Sequence, residues 1–176
     1  MENKHIITAL VSNKSGVLTR ISGLFARRGY NIESLSVCKT HNPAMSRMTI
    51  VALGTNDEIN QIVRQLDKCV DCHKTKIFRP EESVKRELLL IKVNLEPEKR
   101  PELESTANMM KVKVIDIAPT SAILEMTGES NKIDSFIELM RPYGILELAR
   151  TGVTALARGR ECIDDLVDYN EEISGQ

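Results

Sequence analysis

The stretch best equipped for chemistry is Asn13-Lys14-Ser15-Gly16-Val17-Leu18. It interrupts the apolar run Ile6 to Val11, and Val17, Leu18, Ile21, Leu24 and Phe25 follow it at helical spacing. That pattern is a strand, a tight polar turn and a helix start. Asn13 or Ser15 is placed to cap the helix, and Gly16 lets a ligand approach the backbone where the first amides have no intrahelical partner. Free amides at the positive end of a helix dipole suit a carboxylate or phosphate. The turn therefore reads as a binding loop for an acidic small molecule, although an ordinary capped helix produces the same pattern.

Other chemistry is sparse. Cys69-Val70-Asp71-Cys72-His73 is a literal C-x-x-C-H, the attachment pattern of c-type haem and half of a possible zinc site. A second cysteine pair is lacking, and at 3% aromatic residues the chain has too few rings to wall a haem pocket. The match is expected to be coincidental, with Cys38, Cys69, Cys72 and Cys162 as reduced thiols. His5, His41 and His73 fall at a terminus, in a loop and at a helix-strand junction, with no nucleophile fixed beside them. Neither a Walker loop nor a dinucleotide-binding glycine fingerprint occurs.

These residues need elements to hold them, and 176 residues, 41% of them hydrophobic, suffice for one domain or two small ones. A formal net charge of −1 gives no field for nucleic acid or an anionic membrane, and no apolar run is long enough to span a bilayer. The N-terminal residues lack the apolar core of a signal peptide, so a cytoplasmic location is expected.

Arg27-Arg28-Gly29 ends the first helix. A strand follows from Tyr30 to Val37, its irregular alternation indicating one wet face or a bulge, then a polar turn around Pro43 and a strand from Arg47 to Leu53. Ile59, Ile62, Val63 and Leu66 mark a second helix, and Val70 to Phe78 a closing strand. The order is β-α-β-β-α-β. The second half repeats it: a strand Leu88 to Val93, a helix after Pro97 carrying Leu103, Ala107 and Met110, strands Val112 to Ile117 and Ala122 to Met126, a helix, and one long strand Ile145 to Leu156 bent at Gly152. Ile133, Phe136, Ile137 and Met140 answer Ile59, Ile62, Val63 and Leu66, and Gly128 answers Gly54, each 74 residues on. A single offset across five positions indicates duplication.

The expected fold is α+β, two tandem ferredoxin-like βαββαβ units with sheet order 4-1-3-2 and both helices on one face. The expected boundaries are residues 1–80 for the first unit, 81–86 for a charged linker, 87–160 for the second unit and 161–176 for an acidic tail. The second strand of each unit lies at a sheet edge that another chain can extend, and the bare sheet face needs cover, so a homodimer is expected. Three functions fit such a fold. RNA recognition needs stacking aromatics that Met48-Thr49-Ile50-Val51-Ala52 lacks, and an acylphosphatase-like enzyme needs an arginine in the loop, whereas Arg20 lies a turn inside the helix. A ligand-sensing module remains.

The segments Asn13-Lys14-Ser15-Gly16-Val17-Leu18-Thr19-Arg20-Ile21, Arg28-Gly29-Tyr30-Asn31-Ile32-Glu33-Ser34-Leu35, Ser46-Arg47-Met48-Thr49-Ile50 and Ala149-Arg150-Thr151-Gly152-Val153 closely resemble the small regulatory subunit of acetolactate synthase, also called acetohydroxyacid synthase. The likeness covers roughly residues 4 to 160. It implies an N-terminal ACT domain and an ACT-like second domain in a non-catalytic chain. That chain activates a catalytic large subunit and confers feedback inhibition by valine or another branched-chain amino acid. It further implies that thiamine diphosphate, magnesium and FAD belong to the catalytic subunit and none to this chain. The effector site implied is Asn13, Lys14, Ser15, Gly16, Val17, Leu18, Asn31 and Ile32, with the effector carboxylate on the amides around Ser15, Gly16 and Val17. The side chains of Asn13 and Asn31 would hold the effector's polar groups at the dimer seam, and Val17, Leu18 and Ile32 would wall the apolar end. The turn Glu96-Pro97-Glu98-Lys99-Arg100-Pro101 of the second unit has neither the glycine nor the asparagine, so it is not expected to bind an amino acid in the same way. A free ACT-type sensor controlling a different enzyme is the alternative.

Overall fold

The computed structural model describes residues 3–79 and 81–163, and the chain divides into two compact units. The first is built from β1 (Asn3–Ser12), α1 (Val17–Arg27), β2 (Ile32–Lys39), β3 (Met45–Gly54), α2 (Asn56–Leu66) and β4 (Cys72–Phe78). Its sheet runs β2-β3-β1-β4 with every neighbouring pair antiparallel. Alternation along the strands sends Ile7, Ala9 and Val11 of β1 and Met48, Ile50 and Ala52 of β3 to one face. There they pack against Val17, Ile21 and Phe25 of α1 and Ile59, Ile62 and Leu66 of α2. Thr55 starts α2 with a reciprocal capping box to Glu58. The irregularity of β2 is a bulge between Ile32 and Ser34.

The second unit, Lys85–Gly152, repeats the plan. Its sheet runs β6-β7-β5-β8, with β5 (Ser83–Asn94), β6 (Lys113–Ile117), β7 (Ser121–Gly128) and β8 (Ile145–Arg150). Helices α3 (Arg100–Met110) and α4 (Ser130–Met140) lie against Leu89, Ile91, Val93, Ala122, Leu124 and Met126. The duplication extends to detail: β6 bulges between Val114 and Asp116, as its counterpart β2 does. Both units are ferredoxin-like, so the α+β class and the sheet order agree with the sequence pattern.

Three local expectations change. Ser83 to Arg86, read as linker, already belongs to β5. The long strand Ile145 to Leu156 is two strands. β8 stops where the Thr151 amide and hydroxyl close on Leu88, Gly152 takes φ 76°, and β9 (Thr154–Ala157) groups with the first unit. There β9 and residues on either side of it cover part of the sheet face that was expected to need a second chain: Val153 and Ala155 are buried with Val51 and Phe78, and Ile163 with Leu10 and Met45. Ser34 Oγ accepts the Val153 amide at 3.0 Å, Ser36 Oγ donates to the Val153 carbonyl at 2.9 Å, and Arg47 donates to the Ala155 carbonyl at 2.9 Å. The acidic tail from Asp164 onward lies outside the described residues.

Candidate functional site

Gly16, immediately before helix α1, takes φ 84° and ψ −13°, a left-handed conformation that costs other residues about 1–2 kcal/mol. No side chain caps the helix. Asn13 and Ser15 therefore do not play the capping part expected of them. The Asn13 carboxamide is turned across the sheet end, its Nδ2 donating to the Pro43 carbonyl at 2.8 Å and its Oδ1 accepting from Ser46 Oγ at 3.1 Å. Its backbone amide donates to the Ala44 carbonyl at 2.7 Å. This leaves the Ser15 and Gly16 amides without an acceptor among the described residues. Nothing lies within 4 Å of where a Gly16 Cβ would stand, so the space beside the Gly16 Cα is open.

The other side of the loop is tied to the turn between α2 and β4. The Ser12 amide donates to the Asp71 carbonyl at 2.8 Å, Ser12 Oγ is hydrogen-bonded to His73 Nε2 at 2.8 Å, and Arg20 is ion-paired with the Asp71 carboxylate. The loop is thus preorganised from two directions, a requirement for tight binding by backbone groups. Pro43, Ser46, Asp71 and His73 carry no local signal for this role, because each is brought to the loop from 30 or more residues away.

The apolar residues assigned to the site divide. Val17 is 4% exposed and belongs to the core, so it does not wall a ligand space, whereas Leu18 is 46% exposed and available. Lys14 is exposed beside the turn. Asn31 and Ile32 are not near the loop in the same chain. Register pairs Ile32 with Ala52 and Ala52 with His5, while Ser12 pairs with Met45 and Lys39 with Ser46 at the other end of the sheet. His5 and Ser12 are seven residues apart along β1, about 23 Å at strand rise.

In the C-x-x-C-H segment, Cys72 and His73 belong to β4. Cys72 is buried in the first core, and burial, followed by Asp67 and Cys69, pushes its thiol up to about 12. Among the described residues no group of three His, Cys, Asp or Glu side chains is placed to hold a metal ion. Arg150, whose neighbourhood carries part of the family resemblance, is committed within the second unit. Its Nε and a terminal nitrogen donate to Glu87 Oε2 at 2.9 and 2.7 Å, and its other nitrogen to Asp134 at 2.7 Å.

Residues 7–74 match the family model described as the AHAS small subunit-like ACT domain, and residues 86–159 that described as the small subunit of acetolactate synthase. A probable acetolactate synthase small subunit of Archaeoglobus fulgidus is 48% identical over 90% of this chain and 99% of its own length. The chain belongs to the acetolactate synthase small-subunit family. A second family member, the acetolactate synthase small subunit of Bacillus subtilis, is 46% identical over 90% of this chain and 92% of its own. The crystal structure of the acetolactate synthase small subunit from Thermotoga maritima superposes with a TM-score of 0.84 at 37% identity, covering 90% of this chain and 99% of that one. The family's ACT domain therefore coincides with the unit that carries the open loop at Gly16. No helix among the described residues is long and apolar enough to cross a membrane.

Proposed function

We propose that this chain is a non-catalytic regulatory subunit that activates a thiamine-diphosphate-dependent acetolactate synthase catalytic subunit and makes it sensitive to a branched-chain amino acid. The observation that carries the reading is the Ser15–Gly16 turn, with two amides that find no acceptor among the described residues and open space beside the Gly16 Cα, in a chain of the small-subunit family. The effector carboxylate rests on those amides. The Asn13 carboxamide, with one hydrogen and one lone-pair direction still free beside its two bonds, is the neighbouring polar group. Leu18 supplies an apolar contact from its own chain.

Asn31 and Ile32 complete the site from a second chain. β2 is a sheet edge, and antiparallel pairing of two β2 edges sets the Ile32 end of one chain beside the Lys39 end of its partner, the end at which that partner carries its own Asn13–Gly16 loop. A homodimer of this kind creates two equivalent sites. Each buried methylene of the effector contributes about 0.8 kcal/mol, so discrimination of valine from alanine is modest, and larger side chains are excluded by shape. Because coupling is reciprocal, an effector that favours the inhibited holoenzyme by about tenfold is itself weakened tenfold, about 1.4 kcal/mol, when the catalytic subunit is in its active form.

Calorimetric titration of the purified chain with valine, leucine and isoleucine tests the reading, with Gly16→Asp as control. Saturable binding of one of the three, abolished by the added side chain and charge while activation of the catalytic subunit survives, is the expected result. Undiminished binding in Gly16→Asp refutes the site.

A further inference from the structure

The two backbone bonds that gather three connections around the effector loop recur in the second unit. In the first unit the Ser12 amide meets the Asp71 carbonyl and the Asn13 amide meets the Ala44 carbonyl, at 2.8 and 2.7 Å. In the second the Asn94 amide meets the Gly144 carbonyl and the Leu95 amide meets the Thr120 carbonyl, both at 2.9 Å. The strand-to-helix loop, the hairpin turn and the helix-to-strand turn thus converge at the same place in each unit.

What fills that place differs. In the first unit the Asn13 carboxamide spans to the hairpin and Arg20 closes on Asp71. In the second, Leu95 stands where Asn13 does, turns into the core at 1% exposure and spans nothing. A cleft of about 430 Å³ remains, whose lining includes Asn94, Lys99, Thr120, Arg141 and Tyr143 and also Glu96, the partner of Lys99. Gly144, at φ 85°, forms part of its wall, and a Cβ there would come within 2.9 Å of the Asn94 side-chain nitrogen. That glycine is what lets the asparagine lie against the turn. The two cations are ion-paired, among the described residues, with solvent-exposed partners on their own segments, Lys99 with Glu96 at 3.3 Å and Arg141 through Nε with Glu138 at 2.7 Å. Exposed pairs of this kind are weak and exchange readily for a ligand.

We propose that this cleft is a second small-molecule site, distinct from the effector loop, that takes an oxyanion-bearing ligand, a carboxylate or a phosphate. Arg141 presents the planar fork that matches either group, Lys99 adds a second charge, and Asn94 and Thr120 offer polar contacts beside them. The volume suits a metabolite-sized molecule. The second unit thereby binds by side-chain charge where the first uses backbone amides, which fits the lack of a left-handed glycine in its strand-to-helix turn.

Nitrogen-proton correlation spectra of the full chain titrated with inorganic phosphate, and separately with isobutyrate, test this. The expected result is saturable shifts of the Asn94, Leu95, Thr120 and Gly144 amides with at least one probe, the stronger probe naming the ligand class. Arg141→Gln should weaken that binding about tenfold or more, and Arg141→Lys less. Valine-induced shifts at Ser15 and Gly16 stay unchanged in both variants; if valine shifts nothing even in the parent chain, the effector reading fails and this one stands. Shifts that do not saturate, that spread over exposed lysines and arginines generally, or that are the same in Arg141→Gln mean an adventitious ion only and overturn the proposal.

Discussion

If one effector site is made from the Gly16 loop of one chain and Asn31 of its partner, two inactive variants must restore each other in a mixed dimer. The distance makes this necessary: the two ends of the sheet are about 23 Å apart, whereas a branched-chain amino acid is roughly 6 Å long. Gly16→Asp damages both loops of its homodimer and Asn31→Ala both partner contributions, so each alone binds weakly or not at all. Refolding the two chains together at equal concentration yields about half mixed dimers, each with one intact site and one doubly damaged site. Binding capacity should therefore return to about one quarter of the wild-type value per chain, at wild-type affinity. Calorimetry of the mixture gives capacity and affinity separately, and chains carrying two different affinity tags allow the mixed dimer to be isolated, where the capacity should be about half of wild type. A mixture that binds nothing, in which mixed dimers are shown to be present, would refute a site shared across the β2 edges.

Two further expectations concern the units themselves. Arg150→Ala strands the Glu87 carboxylate, which is 5% exposed and otherwise bonded to Ser130. Breaking a buried ion pair costs about 3–5 kcal/mol, and the 30% exposure of Arg150, which admits water, brings the expected loss to about 2–3 kcal/mol in urea unfolding. Glu87→Gln, which keeps a hydrogen-bonding group in place, should cost clearly less, and equal losses would contradict the ion-pair account. With its thiol pushed up to about 12 by burial, Cys72 should resist a thiol reagent at pH 8 until the chain unfolds, while the exposed Cys162 reacts at once. The sign of the linkage follows: the folded pKa exceeds the unfolded one near 9, so the contribution is intact below pH 9 and lost as pH rises toward 12, at about 1.4 kcal/mol per unit. Cys72→Ala should flatten that part of the alkaline stability profile.

Periodicity and duplication made the architecture legible before any coordinates. Helical spacing of Ile59, Ile62 and Leu66, its echo in Ile133, Phe136 and Met140, and the glycine-marked turns all depend on residues near one another in the chain, where the geometry of helix and strand repeats regularly. The irregular alternation that accompanies the bulge in β2 was visible for the same reason. The family was legible as well, because its signature lies in contiguous segments. The sheet order was legible too, but particular contacts between distant segments were not. Asn13 looked like a helix cap and is a clip to the hairpin; Val17 looked like a pocket wall and is core; Ile145 to Leu156 looked like one strand, and its second half lies on the first unit's sheet. Local sequence carries the periodicity of an element and the free amides of a helix start. Which acceptor Asn13 finds, which face β9 covers, and that Asn31 stands at the far end from the loop it is grouped with are set by strand order and register, which no single segment encodes.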